Sequence, residues 1–593
     1  MRFSALALDY DGTIAVNDVL DAIVRDAIAE LRSQGIIVVL VTGRILEDLH
    51  RVAGDLHFVD AVVAENGAVI EFPDSGHLRV LGEPPSGRFL DELRQAGVPA
   101  EAGRSIVEAD AADAPRILAV LQRLELPLVL VFNRGRVMVL PQAISKATGL
   151  REALTMLRLS VHNTVAIGDA ENDHELLRVC EVGVAVGWGS ESLRASADCV
   201  LAGDGPAAVA DYIRELAKRR RLATPAQTRR RLLLGHSDDG RPLALAVRGR
   251  SVLVAGDPKS GKSWVTGLLC EQLILHGYCL CLLDPEGDYT SLEALPGVTV
   301  FGGADPLPRP RDLLRALRHP DVSVVIDLSH THHEERLEYL RTVLPALATL
   351  RRHTGLPHRI VVDEAHYFLH EPDAEKRLDL DLNGYTLVSC RASKLNRDVL
   401  AASEAVIVTR ESDPREVQAL YDLCASCKGG RARSEWERML ETLVIGQAVV
   451  LPITAESEGE VRRVRLAPRL TPHARHLAKY IDIPVSDGRA FKFWRNGSPD
   501  GRRARTLREF VEVIDHSRLP ALDGHLRRGD FSRWIADVFG DCGLAESIRQ
   551  LEEQYRGGGA PADIGASLSQ AVRARYEFLE AVVGSGGKLL ETA

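Results

Sequence analysis

Short apolar runs rich in β-branched residues recur through most of this chain, and several end in a turn built from Asp, Gly or Thr. The clearest are Ile36–Val41, Ala61–Ala64, Val165–Ile167, Val252–Ala255, Leu280–Leu283, Val322–Ile326, Ile360–Val362, Leu387–Ser389, Val406–Val408 and Val449–Leu451. Helical patterns separate them. That alternation commits a chain to parallel sheets with helices on both faces. In open α/β sheets, ligands bind outside the carboxyl ends of the strands. The loops that leave these runs are therefore the places to look for chemistry.

At 593 residues the chain exceeds one core, and its length suggests three or four domains. Residues 1–217 form a first alternating block. A basic linker follows over 218–231, with seven basic and no acidic residues. Residues 232–470 form a second alternating block. Short, mostly helical segments over 471–555 and a tail over 556–593 complete the chain. The net charge of −10 gives no whole-chain drive toward nucleic acid or anionic membrane. The linker and Arg462–Arg533, with seventeen basic against eight acidic residues, are the exceptions; both read as solvated surface. Nine scattered cysteines are an odd number and form no disulfide framework. Cys424 and Cys427, like Cys279 and Cys281, lack the second pair that a zinc site needs and read as buried thiols. The opening MRFSALALDYDG places aspartates where a signal peptide would be apolar. No apolar run approaches the roughly 20 residues of a membrane span, so the expected location is the cytoplasm.

Asp9-Tyr10-Asp11-Gly12-Thr13 follows the apolar run Phe3–Leu8. Two carboxylates two residues apart, on a loop leaving a strand, can face one pocket. One can attack phosphorus and form an acyl phosphate. The other can protonate the leaving oxygen and later deprotonate water. Three further motifs follow in order. Thr42, in Val41-Thr42-Gly43-Arg44, offers a hydroxyl and a backbone N–H to phosphate oxygens. Lys146 supplies a cation to a transferring phosphoryl group. Asp169, in Gly168-Asp169-Ala170-Glu171-Asn172-Asp173, is a natural ligand for Mg2+, which takes hard oxygen donors.

With these four motifs and Glu65-Asn66-Gly67-Ala68, residues 1–217 resemble the haloacid dehalogenase superfamily, in the branch with a large α+β cap inserted between the second and third motifs. The resemblance implies a doubly wound parallel-sheet core and a cap over about 82–140. It implies Asp9 as nucleophile and Asp11 as general acid/base. Mg2+ would sit on Asp9, the Asp11 carbonyl and Asp169, with Asp173 and Asn172 in support. Thr42 and Lys146 would bind phosphate. The cap length is similar to that of phosphoglycolate and sugar-phosphate phosphatases, which points to a small phosphorylated metabolite. Trp188 stands near the edge of the site, where the family carries small residues.

Gly256-Asp257-Pro258-Lys259-Ser260-Gly261-Lys262-Ser263 follows the run Val252–Ala255 and precedes a helical pattern, Trp264–His276. This is the context a P-loop requires. The backbone N–H groups of the turn, over Gly256, Lys259, Ser260 and Gly261, would cradle phosphates at the helix N-terminus. Lys262 would reach the β and γ oxygens of ATP, and Ser263 would ligate Mg2+. Asp363 and Glu364 end another apolar run. Asp363 would hold Mg2+ through water, and Glu364 would polarise the attacking water. With Asp284-Pro285-Glu286-Gly287-Asp288-Tyr289 and the segment Gly384–Leu400, residues 232–470 resemble the HerA/FtsK-type ATPases, RecA-like motors that commonly form homo-oligomeric, hexameric rings. Where relatives carry Thr-Gln-Arg, this chain has Ser389-Cys390-Arg391, so Cys390 takes the place of a polar sensor. Arg391 or Arg410 is the candidate arginine finger acting across a subunit boundary, although each suits a structural ion pair better.

Two other features invite blander readings. His330-Thr331-His332-His333 reads as a polar loop, and Phe531-Ser532-Arg533-Trp534 as the packing core of a small helical module. The expected protein is thus a Mg2+-dependent phosphatase of small esters fused to an ATP-hydrolysing ring ATPase. The competing reading is a DNA-associated motor whose phosphatase trims nucleic-acid ends. A lidded site and an acidic balance favour the small metabolite over nucleic acid.

Overall fold

The computed structural model describes residues 2–133, 135–219, 230–246, 251–331, 333–370, 377–424, 433–451, 462–471, 485, 488–495, 498–539, 542–559, 561 and 563–573. Most of the basic linker, Cys427, His332 and the tail beyond residue 573 lie outside the described residues. Two compact units divide the chain, Met1–His473 and Ala474–Ala593.

The first unit contains two large sheets. The N-terminal one has eight strands, in the order Cys199–Leu201, Val182–Val186, Thr164–Gly168, Ala5–Asp9, Ile37–Val41, Ala61–Ala64, Val69–Phe72, His77–Val80. Its first six strands run parallel. The last two form an antiparallel extension that the alternation pattern did not reveal. Ala5–Asp9 is wholly buried at the centre, paired on both sides. A four-stranded antiparallel sheet spans Ala100–Pro141. The helices Gly87–Gln95 and Ala114–Leu124 cover it through Phe89, Leu93, Ile117 and Leu121. This small sheet and its two helices occupy the stretch, about 82–140, where a cap was expected.

The second sheet has eleven strands. Seven run parallel, in the order Ala405–Val408, Val252–Ala255, Tyr385–Ser389, Arg359–Val362, Leu280–Asp284, Ser323–Asp327, Val298–Gly302. Four antiparallel strands extend it beyond Ala405–Val408, so the sheet is mixed rather than purely parallel. The helix Lys262–Leu275, which follows Val252–Ala255, is buried at ten of its 14 residues.

A buried polar knot joins the two sheets. Glu181 accepts from the Tyr278 hydroxyl at 2.7 Å and from Arg230 at 3.2 Å, and lies 3.1 Å from His162 Nδ1. The rings of His162 and Tyr278 stack at 3.7 Å.

The second unit packs the helices Leu507–Asp515, Leu519–Arg528 and Cys542–Arg556 around a hairpin, Phe491–Arg495 with Ser498–Ala504. The hairpin departs from the mainly helical expectation: Phe491 and Phe493 alternate inward with a period of two. Phe531 and Trp534 are core residues of this unit. Among the described residues no helix is long and apolar enough to cross a membrane. The described cysteines form no disulfide, and burial pushes the Cys279 thiol up to about 12.

Candidate active sites

Asp9 closes the central strand of the first sheet and is 4% exposed. Lys146 opens the helix Lys146–Met156, whose N-cap Ser145 accepts from the backbone of Thr148. Its ammonium donates to Asp9 Oδ1 at 2.6 Å and to Asp173 Oδ1 at 2.7 Å. The lysine is only 1% exposed. The second oxygen of Asp173 accepts from the N–H groups of Asp169 and Ala170. Asp173 therefore organises the site rather than merely supporting it. Thr13 bridges Asp9 and Asp169, with its hydroxyl 3.3 and 3.4 Å from their carboxylates. No role for Thr13 was legible in the motif.

The close approach of Lys146 depends on Gly67. Its φ is +106°, and a Cβ there would lie 1.9 Å from the Ser145 carbonyl. Only glycine lets the Glu65–Gly67 turn back onto the start of the lysine helix. Buried Glu65 in turn accepts from the N–H groups of Arg104 and Ser105, tying the sheet to the base of the cap.

Oxygens of Asp9, Asp169 and Asp173 lie within 4.8 Å of one another, and all three residues are buried. Three carboxylates face one lysine, which leaves a deficit of positive charge. Burial first, then the charge of Asp173, pushes Asp9 well above the ordinary carboxylate range, against the pull of Lys146. A hard dication fits both the donor set and the deficit.

Two expectations need correction. The Thr42 N–H is engaged in the sheet, donating to the Val63 carbonyl at 2.8 Å, so only its hydroxyl remains to meet a phosphate. A residue this close to the strand end still belongs to the backbone ladder. Asp11 does not share the pocket of Asp9. Its carboxylate takes a two-pronged bond from Arg44, at 2.7 and 2.6 Å. Arg44 also reaches Asp18 and Asp48. The Arg of Val41-Thr42-Gly43-Arg44 thus holds the Asp11 carboxylate, which the sequence alone did not show. At the rim, the Trp188 indole donates to the Gly12 carbonyl at 2.7 Å.

A family model described as haloacid dehalogenase-like hydrolase matches residues 6–80 and 107–213. A phosphoglycolate phosphatase 2 of Saccharolobus solfataricus is 30% identical over 203 residues, covering 33% of this chain and 84% of that protein. The chain belongs to the haloacid dehalogenase-like hydrolases. A phosphoglycolate phosphatase of Methanosarcina mazei is 25% identical over 236 residues, 36% of this chain and 97% of its own. A crystal structure of a haloacid dehalogenase-like hydrolase from Bacteroides thetaiotaomicron aligns with 36% of this chain and all of its own, at 19% identity and a TM-score of 0.33. The two matched segments leave residues 81–106 of this haloacid dehalogenase-like domain unmatched.

The second cluster lies at the carboxyl ends of the second sheet. Gly256 follows Val252–Ala255 with φ +147°, and a Cβ on it would meet the Thr409 hydroxyl at 2.1 Å. Lys259 and Gly261 also have positive φ. Lys262, 7% exposed, donates to the carbonyls of Gly256 and Asp257 at 3.1 and 2.9 Å. Ser260 donates to the Asp257 carbonyl at 2.6 Å. The Ser263 hydroxyl donates to Asp288 at 2.9 Å. Asp284 caps its own turn, accepting from the N–H groups of Gly287 and Tyr289 at 2.7 and 2.9 Å. Burial and the charge of Asp288 push it up to about 8.

Asp363 and Glu364 leave the adjacent strand Arg359–Val362, and Glu364 is in the left-handed region at φ +47°. Burial, then the charge of Glu364, pushes Asp363 well up. The strand Tyr385–Ser389 inserts between the glycine-turn strand and the Asp363 strand, which brings Cys390 to 3.8 Å from Glu364. Arg391 is exposed, and Arg410 pairs with Asp257 at 3.4 Å. Sequence reading did not single out Thr409 or Asp257 as anchors of the glycine turn.

Proposed function

We propose that this chain carries two hydrolytic centres. The first is a Mg2+-dependent phosphatase of small esters, phosphoglycolate-like or sugar-phosphate-like, working through an aspartyl phosphate on Asp9. The second binds and hydrolyses ATP at the Gly256–Ser263 turn. The observation that carries the first reading is the fully buried Lys146 bonded to both Asp9 and Asp173, within a haloacid dehalogenase-like domain.

Asp9 attacks phosphorus, and the ester P–O bond breaks as the bond from Asp9 to phosphorus forms. Lys146 and the Thr42 hydroxyl bind the phosphoryl oxygens. Asp11 acts as the general acid and gives a proton to the leaving oxygen. It then takes a proton from water, and that water attacks the acyl phosphate. Phosphate departs and the Asp9 carboxylate is restored. Asp9, Asp169 and the Asp11 carbonyl, with Asp173 beside them, would hold Mg2+, which would supply positive charge to the transferring group. The cap limits the substrate to a small ester.

At the second centre, the turn's N–H groups and the helix N-terminus favour the ATP phosphates. Lys262 exchanges its carbonyl contacts for the β and γ oxygens. Ser263 and Asp363 hold Mg2+, and Glu364 polarises the attacking water. Exposed Arg391 suits action across a subunit boundary in a homo-oligomeric, hexameric ring.

The test is phosphate release with Mg2+ across small phosphate esters and 3′-phosphorylated oligonucleotides, with and without ATP. Turnover of a small ester is expected, with a loss of at least about 10⁴-fold in Asp9→Asn and no change in ATP binding. Turnover of oligonucleotide ends alone would replace this reading with the DNA-associated motor.

A further inference from the structure

Glu364, His366 and Cys390 converge from two neighbouring strand ends, and one donor atom from each lies within 4.8 Å of the other two. Cys390 Sγ is 3.8 Å from Glu364 Oε2 and 3.9 Å from His366 Nε2. Around a tetrahedral ion with sulfur at about 2.3 Å and nitrogen or oxygen near 2.0–2.1 Å, such donor pairs are separated by about 3.6 Å. The two sulfur pairs lie within a few tenths of an ångström of that separation, and the glutamate and imidazole donors lie within 4.8 Å of each other. The imidazole is already aimed. His366 is 6% exposed, and its Nδ1 is 3.3 Å from both the Ser389 hydroxyl and Glu364. Nε2 is left facing the thiol. Orientation of one ring nitrogen by an oxygen partner is the usual arrangement behind a metal-binding histidine.

We infer that Glu364, His366 and Cys390 form a binding site for a soft divalent cation of the zinc class, whose occupancy removes Glu364 from water activation. A sulfur, nitrogen and oxygen donor set selects zinc over magnesium, which prefers oxygen alone. The site is therefore chemically distinct from the all-oxygen Mg2+ positions. Binding displaces the thiol proton of Cys390 to solvent and forms one metal–sulfur, one metal–nitrogen and one metal–oxygen bond, with no redox change. Water fills the fourth position. The metal site stands on the three side chains alone. Its inhibitory consequence rests on the reading of this centre as an ATPase.

The experiment titrates the full-length chain with cobalt(II), whose bond to a thiolate gives a near-ultraviolet charge-transfer band that an all-oxygen site cannot produce. One equivalent of cobalt is expected to raise the band, zinc to abolish it, and Cys390→Ser to lack it. Zinc at saturating Mg·ATP is expected to lower ATP turnover about 100-fold, the scale of losing a general base. The turnover of Cys390→Ser, measured against its own zinc-free value, should resist zinc. Absence of the band in the parent protein, or its survival in Cys390→Ser, overturns the site. A Cys390-dependent band in a chain that neither binds nor hydrolyses ATP supports the metal site and overturns the nucleotide reading instead.

Discussion

At the carboxyl end of the first sheet, Lys146 donates to two carboxylates, Asp9 and Asp173. At the second, Lys262 donates to the carbonyls of Gly256 and Asp257, within its own turn. Both lysines are buried and both face clustered acids. The first has already neutralised part of its cluster, so that site is assembled before any substrate arrives. The second holds its own loop closed. Its acids rely on other means: Asp284 on four backbone N–H groups, Asp363 on the N–H of Glu364. A buried ion pair is costly to break, because its removal leaves an uncompensated charge. A lysine bonded to carbonyls leaves no carboxylate without its hydrogen-bond partner. The comparison teaches that equal burial does not mean an equal structural role.

Replacing each lysine by methionine tests that difference most directly. Lys146→Met leaves Asp9 and Asp173 without their cation and should cost about 3–5 kcal/mol of stability. Phosphate release should fall by several orders of magnitude. Mg2+ should restore part of the lost melting temperature, since a bound ion stabilises the folded state, but not turnover. Lys262→Met should cost only about 1 kcal/mol, the scale of ordinary hydrogen bonds, while ATP binding is lost. Thermal unfolding of both variants with and without Mg2+ measures all of this. Equal destabilisation of the two would break the comparison.

The same contrast governs what could be read from the sequence. Every strand-end motif was visible as an apolar run followed by a polar turn, because a parallel sheet puts its chemistry there. The partners that fix those side chains came from elsewhere in the chain. Asp173 meets Lys146 across 27 residues, and Thr409 backs the glycine turn across 149. Such pairs depend on which strands become neighbours, which periodicity does not report. Thr42 was misjudged for a related reason: its N–H lies inside the ladder opposite Val63. The hairpin of the C-terminal unit escaped notice because FKFWR alternates over too few residues to stand out among helices. The antiparallel flank of the second sheet was equally silent, since a strand's direction is not written in its composition.

A smaller effect is expected at Arg44, whose two-pronged bond to Asp11 belongs to the assembled site but not to its buried core. Arg44→Met should leave Asp11 without a fixed resting position. Turnover should fall about tenfold, with a modest fall in melting temperature, because Arg44 is only partly exposed and gives up three carboxylate partners. Unchanged turnover would show that Arg44 does not position Asp11.

Trp188→Phe should give the mildest change. The indole bonds to the carbonyl of Gly12 at 2.7 Å, and Gly12 follows Asp11 directly. Phenylalanine preserves most of the ring packing and removes only the N–H donor. One hydrogen bond of this kind contributes about 1 kcal/mol, which corresponds to roughly fivefold in rate if it is felt in the transition state. If Trp188 holds the Asp11 loop in its working position, kcat should drop by that factor while KM for a small ester stays constant. A rise in KM at constant kcat would instead mark Trp188 as a wall of the substrate pocket. ATP turnover at the second centre should stay constant in either case, because the lost bond lies wholly within the haloacid dehalogenase-like domain.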